Sequence, residues 1–264
     1  MIMQKFVDRS EQAADKIFDS RTVEKDYHTI LPLLQPGISV LDVGCGTGAI
    51  SKGIANLIGP KGKVVGIDNT LDFIEAGKRN YAEVSNLELL HADIFEFESI
   101  EEFDLVVSAR TLQWLSKPNE AIAKMIGFLK TKGILSVLDY IHEDIEWDPK
   151  IPESMGSFYA SWLRWRSDNG MNNRMAECLP MIFNENGLRN IEVRESNETY
   201  LRGQANFDDK LGIWVKVASS KQLVEEQYVT EELRQKAILD YQNWIEKDAN
   251  VMQMMLKEVR GQKI

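Results

Sequence analysis

Three glycines at alternate positions, Gly44, Gly46 and Gly48, follow a short apolar run over 38–43 and precede a helix-patterned stretch over 49–58. A strand-to-helix turn of this composition lets the backbone double back tightly and lie close to a ligand, because glycine carries no Cβ. The helix that follows points its unpaired N–H groups and positive dipole end at whatever binds in the turn. A second strand-like run, 64–67, ends at Asp68, twenty residues past Gly48. In nucleotide-binding α/β folds an acid at that distance accepts hydrogen bonds from ribose hydroxyls. Together these features predict an adenosine-containing ligand at the carboxyl edge of a sheet.

The rest of the first half has the same rhythm. Strand patterns over 87–90, 105–108 and 134–139 alternate with helix patterns over 71–81 and 121–129. Such alternation predicts a parallel sheet with helices on both faces, since parallel strands need crossovers. Residues 1–35 read as an amphipathic helix with Phe6, Ala13, Ile17 and Phe18 on its apolar side, closed at Gln35-Pro36-Gly37. After Tyr140 the rhythm is lost. Residues 141–180 hold Trp147, Phe158, Tyr159, Trp162 and Trp165 and are expected to form a helical cap, whose aromatics either pack the cap or meet a ligand. A helix over 179–186 and a strand over 191–195 follow. Residues 207–247 suggest two helices, the second starting at Thr230, and the Met-rich run 251–260 reads as a closing strand, a pattern that also suits a helix.

The glycine spacing decides which adenosine ligand fits. A dinucleotide fingerprint places its third glycine three residues after the second, whereas here the spacing is even and Asp42 stands before it. A carboxylate there repels a pyrophosphate and suits an ammonium or sulfonium. At this point the chain resembles the class I S-adenosylmethionine-dependent methyltransferases, whose first motif is a strand ending in D-x-G-x-G-x-G. The resemblance extends over about residues 35–140: Val65-Gly66-Ile67-Asp68, His91-Ala92-Asp93, Phe103-Asp104-Leu105-Val106-Val107-Ser108, Leu112-Gln113-Trp114-Leu115 and Leu129-Lys130-Thr131-Lys132-Gly133 all have counterparts. Thr131 and Lys132 depart from the family's usual turn. The outer parts resemble, more loosely, a bacterial small-molecule branch that includes the methyltransferases of ubiquinone and menaquinone biosynthesis.

The resemblance implies a Rossmann-like α/β fold of seven strands in the order 3-2-1-4-5-7-6, with strand 7 antiparallel, helices on both faces and a helical cap. It divides the chain into an N-terminal helical lid (1–35), a cofactor-binding core (36–140), the cap (141–180) and the remainder of the core with an inserted helical pair (181–264). It implies S-adenosylmethionine as donor and S-adenosylhomocysteine as product. Gly44, Cys45 and Gly46 would lie under the amino-acid part, with Asp42 ordering the loop or meeting the ammonium; Asp68 and Asn69 would hold the ribose and Ala92, Asp93 and Ile94 the adenine edge; Ala109 would also bind the cofactor, and Leu112 and Gln113 would flank the adenine or line the path to the methyl group. Cys45 reads as a small filler presenting its backbone, and Asp93 alone could be a helix cap.

The acceptor is less legible. Among the polar residues at the strand tips, His142, just after the fifth strand, is the candidate base, with Tyr140 beside it; the bland alternative is a solvent-exposed loop histidine. Tyr27, His28, Arg110, Trp147, Phe158 and Trp162 are candidates to line a pocket for a small, apolar or aromatic acceptor. A hydrophobic share of 44% with 27% charged residues is that of a globular chain, and a net charge of −10 argues against nucleic acid and anionic membranes as partners. No apolar run is long enough to span a bilayer and no signal-peptide pattern opens the chain, so the expectation is a cytoplasmic protein; its oligomeric state is not legible. Two cysteines and no metal-type Cys/His spacing leave no candidate metal site. The rival readings are a non-catalytic S-adenosylmethionine-binding module and an NAD(P)-dependent oxidoreductase.

Overall fold

The structure is a computed structural model that describes residues 21–264. The apolar positions expected on the N-terminal helix, from Phe6 to Phe18, lie outside the described residues. The part of that expectation inside them is corrected: Val23–Asp26 is a single α-turn, and His28–Leu33 is a 3₁₀ helix containing Pro32. Thr22 opens the first by accepting the Lys25 N–H (3.3 Å). Proline supplies no amide hydrogen, so an α-helix does not run on to residue 35.

The described chain divides into two compact units. One comprises residues 21–139, 175–196 and 257–264; the other comprises 140–174 and 197–256. In the first, the β-branched runs form parallel strands: β1 (Ser39–Val43), β2 (Lys63–Asp68), β3 (Leu87–His91) and β4 (Phe103–Ala109). The first half of β5 (Leu129–Asp148) pairs parallel with β4, Leu105 opposite Ile134 and Ala109 opposite Leu138. Helices Ala49–Ile58, Leu71–Asn80, Pro118–Gly127 and Met175–Glu185 belong to the same unit. Leu41, Val43, Val65, Val106 and Leu135 from the strands join Ile122, Met125 and Phe183 from the helices in one buried cluster. Each such side chain contributes about 2 kcal/mol by leaving water.

The sheet order is β3-β2-β1-β4-β5-β8-β6, and β6 (Arg189–Glu195) runs antiparallel to β8 (Val251–Gln262). This is the expected order with one difference in count. An eighth strand, β7 (Glu198–Leu201), pairs antiparallel with the first residues of β8, while β6 pairs with its last. The expected strand over 191–195 lies within β6, and β7 is an additional strand beyond Ser196-Asn197. There the Asn197 side-chain oxygen accepts the Leu256 N–H (2.9 Å). The weakly marked run 251–260 is a strand.

The second unit holds helices Glu153–Asp168, Phe207–Leu211, Ile213–Ser219, Gln222–Glu225 and Glu231–Lys247. The last starts where expected, with Thr230 Oγ1 accepting the Leu233 N–H (3.1 Å). Two helices were expected over 207–247 and four are found, the first breaking at Gly212. Residues 141–148, expected as helical cap, instead continue β5 as strand.

Candidate functional site

The glycine loop is built against the end of β2. Gly44 and Cys45 both donate their N–H to Ile67 O (2.8 and 3.0 Å), and Gly48 donates to Cys45 O (3.0 Å). Gly44, Gly46 and Gly48 all have positive φ (75°, 58° and 83°), the region L side chains avoid. Asp68 then closes the loop from the next strand: its Oδ2 accepts the Gly46 N–H and its Oδ1 the Thr70 N–H, both at 2.9 Å. The acid and the loop, separated by twenty residues in sequence, are thereby one constellation. A carboxylate held at both oxygens by backbone amides is fixed in place and still has lone pairs for two hydroxyl donors.

Asp42 lies beneath the loop, 3% exposed, and Ser51 Oγ donates to its Oδ2 at 2.6 Å. Burial pushes its carboxyl up to about 6, against the Ser51 bond and with the repulsion of Asp68 adding to the rise. The same surroundings push the Cys45 thiol well up, through burial first and then the charges of Asp42 and Asp68, so it stays protonated and unreactive. Thr47 Oγ1 is buried in the loop with no hydrogen-bond partner among the described residues. Two carboxylates, three left-handed glycines and an orphaned hydroxyl fit a ligand with hydroxyls and a cationic centre, and do not fit a pyrophosphate.

The neighbouring candidates line up along the strand ends. Ala92 donates its N–H to Asp68 O (3.0 Å), and His91 Nε2 lies 3.1 Å from the carbonyl of exposed Asn69. Asp93 Oδ1 accepts the Phe95 N–H (2.9 Å), an Asx turn that fixes the carboxyl; Ile94 is buried and Ala109 half-buried. After β4, Arg110 has a φ of 60°, and its guanidinium donates to Asp26 O (2.9 Å). Gln113 is buried; its N–H donates to Asp139 Oδ2 (3.0 Å) and its side-chain amide to Arg110 O (3.3 Å). Tyr27 is fully buried with its hydroxyl 2.9 Å from Ser136 Oγ, and burial, followed by the Glu258 charge, raises its pKa far above the ordinary phenol value. His28 is exposed.

Gly66 and Gly77 were not singled out by the sequence. A Cβ on Gly66 would lie 2.8 Å from Leu89 Cδ2 and 3.0 Å from Cys45 Sγ; one on Gly77 would lie 2.2 Å from Thr47 O. The helix Leu71–Asn80 therefore touches the glycine loop backbone to backbone. The available signal was a lone glycine inside a strand pattern for Gly66 and inside a helix pattern for Gly77.

The second unit gathers Tyr140, His142, Trp147, Phe158 and Trp162, and the structure corrects the setting expected for His142. It lies within β5, not in a loop after it, and is 4% exposed. Its ring stacks on Tyr140 (4.9 Å between centroids) and meets Trp162 edge-on (5.1 Å) and Trp214 (6.3 Å). Its backbone N–H donates to Asn173 O (2.7 Å), and its carbonyl accepts the Tyr159 hydroxyl (2.6 Å). Burial, then the charge of Arg166, holds the imidazole well below its usual range, hence neutral. Arg166 sits 4.7 Å over the Trp162 ring and donates Nε to Asn173 Oδ1 (2.7 Å). Phe158 is fully buried, and half-buried Trp147 meets Tyr159 edge-on (5.3 Å). Trp214, which touches His142, Trp147, Tyr159 and Trp162, had no sequence signal, since a single tryptophan in a short helix reads as ordinary core.

Among the described residues no group of three or more His, Cys, Asp or Glu side chains could hold a metal ion, and no helix is long and apolar enough to cross a membrane.

Comparison with known proteins agrees with this geometry. A family model described as "Methyltransferase domain" matches residues 34–197. The chain is 31% identical over 127 residues to a malonyl-[acyl-carrier protein] O-methyltransferase of Acetivibrio thermocellus, covering 47% of this chain and 44% of that protein. It is 28% identical over 180 residues to a demethylmenaquinone methyltransferase of Staphylococcus aureus, covering 61% of this chain and 72% of the relative. The chain thus spans less than half the length of the first of these relatives. Among solved structures, a Haemonchus contortus phosphoethanolamine N-methyltransferase bound to S-adenosylhomocysteine superposes with a TM-score of 0.56 over 89% of this chain and 52% of that one, at 16% identity, which speaks for the fold. With the family model covering more than half of its residues, the chain belongs to the methyltransferase domain family.

Proposed function

We propose that the chain is an S-adenosylmethionine-dependent methyltransferase of a small-molecule acceptor. The observation that carries this reading is the Asp68 carboxylate, held by the Gly46 and Thr70 amides at the rim of the glycine loop with Asp42 buried beneath it. In this reading Asp68 and Asn69 hold the ribose, and Ala92, Asp93 and Ile94 the adenine edge, flanked by Ala109 and Gln113. Asp42, Gly44, Cys45 and Gly46 receive the amino-acid part, with the Asp42 charge offsetting a cation. When bound, S-adenosylmethionine supplies an electrophilic methyl group and departs as S-adenosylhomocysteine. The protein's task is then chiefly alignment and exclusion of water.

On the acceptor side, Tyr140, His142, Trp147, Phe158 and Trp162 suit an apolar or aromatic molecule, in line with the quinone-type acceptor named for the Staphylococcus aureus relative. His142, neutral through burial, accepts a proton, but its depressed basicity restricts it to acidic acceptor groups such as phenols and enols. The test is calorimetric titration with S-adenosylmethionine, S-adenosylhomocysteine and NAD in parallel. The expected outcome is binding of the first two alone; binding of NAD alone would overturn the reading.

A further inference from the structure

The segment 22–30 is fastened to the first unit at four successive places. Val23 packs on Gly53 of the helix Ala49–Ile58, where an added Cβ would lie 2.9 Å from Val23 Cγ1. Asp26 O accepts from the Arg110 guanidinium (2.9 Å), the Tyr27 hydroxyl pairs with Ser136 Oγ (2.9 Å), and Thr29 O accepts from Arg260 Nη2 (2.6 Å). The segment cannot hold this course by itself. A four-residue α-turn and a six-residue 3₁₀ helix lie far below the length at which a helix is stable in water, so its anchors set its position.

Two of the four anchors converge on one ion pair in β8. Arg260 donates Nε to Glu258 Oε1 and Nη2 to Glu258 Oε2, each at 2.8 Å, and Ser136 Oγ donates to the same Oε1 at 2.6 Å. Glu258 is 0% exposed and Arg260 6%. A buried pair of this kind seldom makes a fold more stable than apolar residues of equal volume would. What it provides here is direction: a guanidinium aimed at the Thr29 carbonyl and, through Ser136, a hydroxyl aimed at Tyr27. The anchors on β4 border the glycine loop. Tyr27 Oη lies 3.5 Å from Ser108 O, Ser108 Oγ donates to Val43 O (2.8 Å), and Val43 is followed by Gly44, against which Thr111 packs.

We propose that Glu258 and Arg260 are positioning residues for the donor site: they hold the strap 22–30 across the glycine-loop helix and the end of β4, and so set the residence time of the adenosyl ligand. The proposal rests on the functional reading above. Its test measures S-adenosylhomocysteine dissociation by stopped flow, amide hydrogen exchange over 22–30, and thermal unfolding, in the wild-type chain and in Tyr27→Phe, Glu258→Gln and Arg260→Lys. Tyr27→Phe removes one hydroxyl and is expected to release the ligand about tenfold faster, the equivalent of one hydrogen bond. Exchange should rise within 22–30 and stay unchanged elsewhere, with little change in melting temperature. Arg260→Lys, which keeps the charge and loses the fork, should fall between wild type and Glu258→Gln; if Glu258→Gln does not fold, the other two variants carry the test. Faster exchange over 22–30 with unchanged ligand release would overturn the proposal, as would unchanged exchange. A wild-type chain that binds no S-adenosylhomocysteine would overturn the functional reading instead, while the exchange data would still decide whether the pair holds the strap.

Discussion

Asp42 shows how one buried side chain links stability to ligand. Its carboxyl is raised from 3.8 to about 6, so between those values the folded chain holds a proton that the unfolded chain has lost. Protonation favours the fold: the Asp42 contribution is fully present below about pH 4 and is lost as pH rises through about 6. Asp42→Asn removes the titration. It is expected to flatten stability across this range, to gain about 2–3 kcal/mol at pH 8 by urea unfolding, and to weaken S-adenosylmethionine. Asp68→Ala, which removes the bonds to the Gly46 and Thr70 amides as well as the proposed ribose acceptors, should weaken the ligand by about a hundredfold in calorimetry with the fold intact by circular dichroism. Unchanged affinity would sink the ribose assignment. Both carboxylates were legible in the sequence because Asp42 stands just before the glycine turn and Asp68 ends the next strand, twenty residues past Gly48. The imidazole of His142 was misjudged because a strand that continues past its expected end turns a loop residue into a buried one.

At the scale of elements, the contact between the helix Leu71–Asn80 and the glycine loop has no room for a methyl group. Gly77→Ala would place Cβ 2.2 Å from the Thr47 carbonyl, backbone against backbone, so either the helix or the loop must shift. The expected cost is about 1–3 kcal/mol in chemical denaturation, together with weaker S-adenosylhomocysteine binding. Alanine at Gly59, where no atom lies within 4 Å but φ is 72°, tests the alternative that backbone strain alone costs as much, and should leave the ligand untouched. Contacts like this escape a sequence reading because glycine in a helix signals only a weak helix. The parallel strands β1, β2 and β4 were legible because burial on both faces leaves near-continuous apolar runs, and the partly exposed edge strand β3 through its three leucines. The additional strand β7 was not, since its four residues are half exposed and carry too short a pattern to stand out.

At the scale of the molecule, ligand binding is linked to the unfolding of the whole chain. At a hundredfold excess over its dissociation constant, S-adenosylhomocysteine should raise the melting temperature by about 5–10 °C in a calorimetric scan, and NAD should not. The parallel sheet was readable from the rhythm of the first 140 residues and its strand order came only with the family resemblance, whereas the second unit was visible only as a loss of rhythm. Its aromatics carry no period that separates a core from a binding surface, and the tryptophan that touches most of them, Trp214, is remote from the others in sequence.

Both long strands pass from one unit into the other without a linker: β5 between Asp139 and Tyr140, β8 between Leu256 and Lys257. An engineer who grafts residues 140–174 and 197–256 from a relative, to test the proposal that they meet the acceptor, must therefore splice inside strands. Side chains alternate faces along a strand, so a junction displaced by one residue turns every later side chain to the wrong side, whereas one displaced by two preserves the pattern. Exchange of the second unit is a problem of parity before it is one of packing.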